Sequence, residues 1–243
     1  EFSSSQCKVN PEAIFSRLTK LSPAPQSTFL KLNDRYLMSA SPERYLFKEA
    51  SSVLSQPMKG TIRRSADERQ DQQLKEELLG SQKERSENVM IVDLVRNDLS
   101  RIAKKGSVQV DELFGLYTFP HVHQLISTIS ATLDQDKDIL DVVEMSFPMG
   151  SMTGAPKIRA MKLIEAFELR SRGIFSGSVG YIDPNGDADF NVVIRSLMYN
   201  RTAKYLSFQV GGAITALSDP QSEYEECMLK AKALIDVVTN AQT

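Results

Sequence analysis

The stretch STFLKLNDRYLMSASPERYLF, residues 27–47, alternates apolar and polar side chains on either side of Asn33-Asp34. A period of two marks strands with one buried face, and an Asn-Asp pair between two such runs marks a tight reversal, so this segment predicts a β-hairpin leading into a further strand. Glu43 then falls near a strand end. Working outward, HQLISTISATL (123–133), GSVGYID (177–183), FNVVIRSLMYN (190–200) and KYLSFQVGGAIT (204–215) read as more strands. PEAIFSRLTKL (11–21), KIRAMKLIEAFEL (157–169) and SEYEECMLKAKALIDVV (222–238) carry a helical period, the first opened by Pro11. Residues 66–88 are nearly all polar, with Leu74, Leu78 and Leu79 at helical spacing, and predict a surface helix closed by Glu84 and Glu87. After it the run VMIVDLV (89–95) reads as the chain crossing the core. Strands that look antiparallel, joined by a few helices and without βα alternation, predict one α+β domain over residues 1–243.

The composition excludes several classes. Lys and Arg number 29 against 31 Asp and Glu, so no field gathers nucleic acid or an anionic membrane. With 41% hydrophobic and 25% charged residues, a chain of 243 buries a real core. Cys7 and Cys227 lie far apart, which argues against a disulfide framework or a zinc site and fits a reducing compartment. No run approaches the roughly 18 apolar residues that a spanning helix needs, and the opening EFSSSQCKVN has no signal-like apolar region. A soluble, cytoplasmic protein is the expectation.

Four constellations could carry chemistry. Glu84 with Glu87, and Glu223 with Glu226, are spaced i and i+3, which on a helix puts both carboxylates on one face. Two such faces together offer oxygen ligands only, which suits Mg²⁺ rather than zinc or copper. Taken alone, each pair also reads as a solvated helix face, the commoner use of this spacing. Lys59 in PMKGTIRR has apolar neighbours, and desolvation favours the neutral, nucleophilic amine of a lysine, although Lys-Gly is also a common turn pair on surfaces. GSMTGAPK (150–157) brings glycines to a helix start, where backbone N–H groups seat carboxylate or phosphate, but its spacing is not that of a P-loop. Gly211 and Gly212 follow an apparent strand, where a ligand or a bulge would equally use them. Arg195, inside an apolar strand pattern, needs an anionic partner, either internal or bound.

Read in order, SASPERYLF, PMKGT, ENVMIVDLVRNDLSRI, FPMGSMTGAPKIRAM, SGSVGYI, VIRSL, VGGAIT and SDPQSEYEECMLKAKAL resemble the chorismate-binding enzyme family. The likeness runs from about Phe15 to Val238. It implies the family's α+β fold, an antiparallel two-sheet sandwich surrounded by helices, here as a single catalytic domain without the upstream N-terminal region that family members carry.

Roles carry over by motif position. The resemblance implies that Glu87 and Glu226 bind Mg²⁺ with Glu84 and Glu223 in support, and that the ion holds the ring carboxylate of chorismate. It places Arg195 and the backbone of Gly211, Gly212 and Ala213 at the enolpyruvyl carboxylate, with Thr61, Thr153, Gly154 and Lys230 completing the pocket. Glu43, Lys59 and His123 are implied as catalytic residues. Lys59 discriminates within the family: members that aminate C2, as component I of anthranilate synthase does, or that isomerise chorismate, resemble P-[IL]-A-G-T here, whereas lysine is typical of those that aminate C4. Asn88 agrees, because the C2 enzymes more often have histidine there. The resemblance therefore implies amination at C4 on the route to 4-aminobenzoate and folate. The ammonia comes from a glutamine amidotransferase subunit in a heterodimer, since neither cysteine has a plausible histidine partner. Met149, Phe175 and Ala213 depart from the common pattern.

Overall fold

The computed structural model describes residues 1–120, 122–216 and 218–239. The chain forms two compact units, neither continuous in sequence: Glu1–Glu43, Arg172–Val179 and Val192–Thr243 make the first, and Arg44–Ser171 with Gly180–Asn191 the second.

The first unit holds a five-stranded antiparallel sheet ordered β1-β12-β11-β3-β2, from β1 (Phe2–Ser4), β2 (Gln26–Leu32), β3 (Arg35–Ser41), β11 (Ser196–Asn200) and β12 (Tyr205–Phe208). The hairpin predicted around Asn33-Asp34 is β2–β3, with Leu32 opposite Arg35 and Asn33 at φ 56°, a left-handed conformation that asparagine tolerates. Helix α1 (Pro11–Leu21) starts where the Asn10 side chain accepts a hydrogen bond from the Ala13 N–H, with Pro11 in the first turn. It buries Ile14 and Leu18 against Met38 and Leu197 of the sheet and Leu234 of α6 (Pro220–Thr239). Burying one leucine contributes about 1.5–3 kcal/mol, so this cluster is what holds the two helices to the sheet.

The second unit is built on a seven-stranded antiparallel sheet of β4 (Arg44–Glu49), β5 (Ser52–Gln56), β6 (Met58–Arg63), β7 (Gln109–Thr118), β8 (Val122–Thr132), β9 (Gly180–Ile182) and β10 (Ala188–Asn191). The long β8 pairs with β6 through Val122–Ile126, with β5 through Ile129–Thr132 and with β7 along most of its length. Helices α2 (Glu68–Gly80), α3 (Gln82–Leu99), α4 (Ile139–Ser146) and α5 (Lys157–Phe167) complete it.

Two sequence expectations change, and a third segment gains its element. The polar segment 66–88 is not one helix: Ser81 is extended, ends α2 and caps α3 by accepting the Glu84 N–H, so Glu84 and Glu87 open a helix rather than close one. The run Val89–Val95 belongs to α3, because Ile91, Val92, Val95 and Leu99 form one buried helical stripe that overrides the β preference of branched residues. FNVVIRSLMYN is two strands in different sheets, β10 and β11, broken before Ser196, where Arg195 takes φ 51°. The α+β class with two antiparallel sheets stands. Among the described residues no helix is long and apolar enough to cross a membrane.

Candidate functional site

In the second unit, Lys59, Gly60 and Thr61 lie on β6, where the register against β8 shifts between Met58 and Thr61. Such an irregularity re-aims side chains, and it sits under the half-buried Lys59. Gly60 at φ 86° is required twice over. Its backbone is left-handed, and a Cβ there would stand 3.2 Å from Leu125 Cδ1 and 3.3 Å from Glu84 Oε2. Glu84, in the first turn of α3, is thereby admitted close to the PMKGT strand. Glu87 follows one turn later and is buried. Beside it, the buried Asn88 accepts a 2.6 Å hydrogen bond from Ser127 of β8 through Oδ1, while its Nδ2 has no hydrogen-bond partner among the described residues.

Thr153 and Gly154 occupy the connection between α4 and α5, after a 3-10 turn at Gly150–Met152. The Thr153 hydroxyl donates to the Met149 carbonyl at 3.1 Å, and Gly154 has φ 147°. Gly150 packs so closely on Leu94 that a Cβ would come within 2.8 Å of Leu94 Cδ2.

His123 is held from both sides of its ring. Its side chain has 0% exposure, Nε2 donates to Asp71 Oδ1 at 2.9 Å and Nδ1 lies 3.0 Å from Thr118 Oγ1. Both ring nitrogens are thus engaged within the second unit. The residue that shares the face of Thr61 is Gln124, directly opposite in the register, whose Nε2 donates to Thr61 Oγ1 at 3.3 Å. Alternation along β8 says that only one of residues 123 and 124 can do this, but pairing with β6 decides which.

In the first unit, Glu43 follows β3 and is buried, with its backbone carbonyl accepting from Val192 N–H at 3.1 Å. Arg195, expected within a strand, instead occupies the left-handed break before β11, from which Nη1 reaches the Lys230 carbonyl at 3.5 Å. Burial lowers the pKa of this guanidinium and Glu226 opposes the shift, so the anion that the sequence called for has an internal candidate on α6. Lys230, one turn after Glu226, forms an ion pair with it at 2.5 Å and donates to the Gly211 carbonyl at 3.0 Å. Gly211, Gly212 and Ala213 lie beyond the end of β12, in no strand. Glu223, in the first turn of α6, is buried and accepts from Ser218 Oγ at 2.8 Å, and a Cβ on Gly212 would stand 3.0 Å from its Oε2.

Each unit therefore repeats one device: a motif glycine, Gly60 or Gly212, gives clearance to the first acid of an i, i+3 pair at a helix start. The donors are all carboxylate oxygens, the set that suits Mg²⁺ and disfavours softer metals, and a side chain on either glycine would crowd them. Among the described residues no three acids, histidines or cysteines gather in metal-binding geometry, so each unit offers a pair.

Comparison with known proteins gives four further findings. The family described as chorismate binding enzyme matches residues 2–236. The chain is 42% identical over 234 residues to the aminodeoxychorismate synthase of Streptomyces griseus, covering 96% of this chain and 32% of that protein. It is 39% identical to anthranilate synthase component 1 of Aquifex aeolicus, over 97% of this chain and 47% of that one. The crystal structure of anthranilate synthase component I from Streptococcus pneumoniae TIGR4 superposes with a TM-score of 0.85 at 32% identity, over 95% of this chain and 50% of its own. The chain thus spans a third to a half of the length of these relatives.

Proposed function

Because the chain belongs to the chorismate-binding enzyme family, matched over residues 2–236, we propose that it aminates chorismate at ring C4 to give 4-amino-4-deoxychorismate, a precursor for 4-aminobenzoate and folate. The observation that carries this reading is Lys59, half-buried at the β6 irregularity beside the Gly60 that Glu84 approaches. A nucleophilic amine at that place explains how nitrogen ends at C4. The neutral Lys59 amine attacks C2, the ring double bonds shift, and the C4 hydroxyl leaves with a proton from Glu43. Ammonia then attacks C4, the double bonds shift back, and the C2–N bond breaks to restore the lysine. The proton that the Lys59 nitrogen loses on attack restores Glu43, the proton that the added ammonia loses goes to the Lys59 nitrogen as it departs, and water is the by-product.

Arg195 and the Gly211–Ala213 backbone seat the enolpyruvyl carboxylate, with Thr61, Thr153, Gly154 and Lys230 lining the substrate. Glu84, Glu87, Glu223 and Glu226 are the carboxylates we assign to Mg²⁺, which when bound neutralises the ring carboxylate. Ammonia comes from a glutamine amidotransferase subunit in a heterodimer, supported by the commitment of His123 to Asp71 and Thr118, which leaves it no cysteine to serve. Two free cysteines, Cys7 and Cys227, support a reducing, cytoplasmic setting.

The competing reading is anthranilate synthase component I, favoured by the name of the solved structure at TM-score 0.85. Product analysis separates them. Incubation with chorismate, Mg²⁺ and an ammonium salt, followed by mass spectrometry, yields 4-amino-4-deoxychorismate on our reading. Anthranilate with pyruvate supports the competitor, and untouched chorismate overturns both.

A further inference from the structure

Lys157 occupies the first position of α5, where a cation opposes the helix dipole and would ordinarily extend into water. It is instead drawn inward. Its side chain is 16% exposed, and Nζ donates to Asp98 Oδ2 at 2.6 Å and to the Ser146 carbonyl at 2.8 Å. Asp98, near the end of α3, is 6% exposed. Burial raises the pKa of its carboxyl while Lys157 opposes the shift. Ser146, the last residue of α4, donates to the Val142 carbonyl at 2.6 Å and lies 2.6 Å from the Tyr45 hydroxyl of β4. Removal from water pushes that phenol up to about 12. Three helices of the second unit thus meet at one largely buried ammonium, and β4 joins them through the Ser146 hydroxyl.

The rest of α5 supplies little to hold it. None of its residues is buried, and Ile158 and Phe167 are 71% and 78% exposed. What the ammonium does hold is a loop. Ser146 immediately precedes residues 147–156 and Lys157 immediately follows them, so one cation closes both ends of the segment that carries Thr153 and Gly154. Between the ends, Met149 is buried and Gly150 packs on Leu94 of α3, the helix that also supplies Asp98.

We propose that Lys157 and Asp98 form an ionic staple that preorganises the Phe147–Pro156 loop, making both of them positioning residues for the substrate contacts of Thr153 and Gly154. The substrate part rests on the chorismate reading given above; the staple itself rests on the distances. The alternative role for so buried a pair is general stability, and the two differ in where the loss is felt.

The test compares the wild-type chain with Lys157→Met, Asp98→Asn, the Lys157→Met/Asp98→Asn double variant and Lys157→Arg. Amide hydrogen exchange is read on peptides from the 147–156 loop and on peptides from β8, and chorismate binding with Mg²⁺ is followed by calorimetry. The staple predicts that exchange in the loop rises about tenfold in both single variants while β8 keeps its protection. It also predicts chorismate affinity lower by about tenfold, and recovery of most loop protection by Lys157→Arg, which keeps the cation. If a single variant fails to fold, the double variant, which strands no charge, carries the same readout. Loop exchange equal to wild type, or equal loss of protection in β8, overturns the proposal. A wild-type chain that binds no chorismate overturns the functional reading instead, and the exchange comparison still decides the staple.

Discussion

His123 Nε2 donates to Asp71 Oδ1 at 2.9 Å, joining the central strand β8 to helix α2 across 52 residues of sequence. Asp71 also accepts from the Ser65 N–H at 2.9 Å and from Arg64 Nη2 at 3.2 Å. These three partners, the Ser65 amide first and then His123 and Arg64, hold its carboxyl well below the ordinary range. The tie lands on the connection that leaves β6 just after Thr61. A group with a depressed folded pKa stabilises above its unfolded value, about 3.9, and loses that contribution as pH falls through the folded one. Urea unfolding followed between pH 6 and pH 3 should therefore show stability declining below about pH 4 in the wild type, with a shallower decline in Asp71→Asn. Identical pH slopes in the two proteins would show that Asp71 is not held in this way.

Lys59→Arg keeps a positive charge but cannot offer a neutral amine, so it should lose C4 amination as fully as Lys59→Ala. With chorismate and Mg²⁺ but no ammonia, wild type should accumulate a covalent adduct on the peptide containing Lys59. Retention of most activity in Lys59→Arg, or the absence of adduct mass under single-turnover conditions, makes the lysine an electrostatic clamp only.

If the Mg²⁺ assignment holds, Glu87→Gln and Glu226→Gln should each lower Mg²⁺-dependent turnover by on the order of 10³, since each would remove a ligand whose charge is not replaced. Magnesium titrations of rate, with circular dichroism to confirm folding, are the check. Near-normal rates in both variants remove these glutamates from the metal assignment.

Gly60→Ala places a methyl group on a left-handed backbone, 3.3 Å from Glu84 Oε2. The strain should cost about 1–3 kcal/mol in unfolding free energy. The apparent Mg²⁺ affinity should weaken as Glu84 is displaced. Gly186→Ala, also at positive φ but with nothing within 4 Å of its Cβ, is the comparison that separates backbone strain from crowding of the acid. Equal magnesium dependence in the two variants argues against the clearance role.

Leu18→Ala should destabilise the first unit by about 2–5 kcal/mol, because the side chain is fully buried among Ile14, Met38 and Leu234. Thermal or urea unfolding measures it directly.

The sequence by itself determined whatever depends on local spacing. The β2–β3 hairpin follows from alternation around Asn33-Asp34, α1 from Asn10-Pro11 and its apolar stripe, and the same-face acid pairs from a separation of three. The ordered motifs were enough to identify the family. Tertiary structure decided what depends on contacts far apart in the chain. Whether Val89–Val95 is strand or helix turns on which of its faces is buried, a quantity set by α3 packing on the sheet rather than by the run itself. Arg195 lies in no strand because β10 and β11 belong to different sheets, so the apolar run is broken between them. His123 and Gln124 are neighbours in sequence, yet the β6–β8 register hands one to Thr61 and the other to Asp71. Lys157 looks in sequence like one more surface cation at a helix start. Its partners, Asp98 and Ser146, lie 59 and 11 residues away, and only the packing of α3 and α4 brings both within reach of one ammonium.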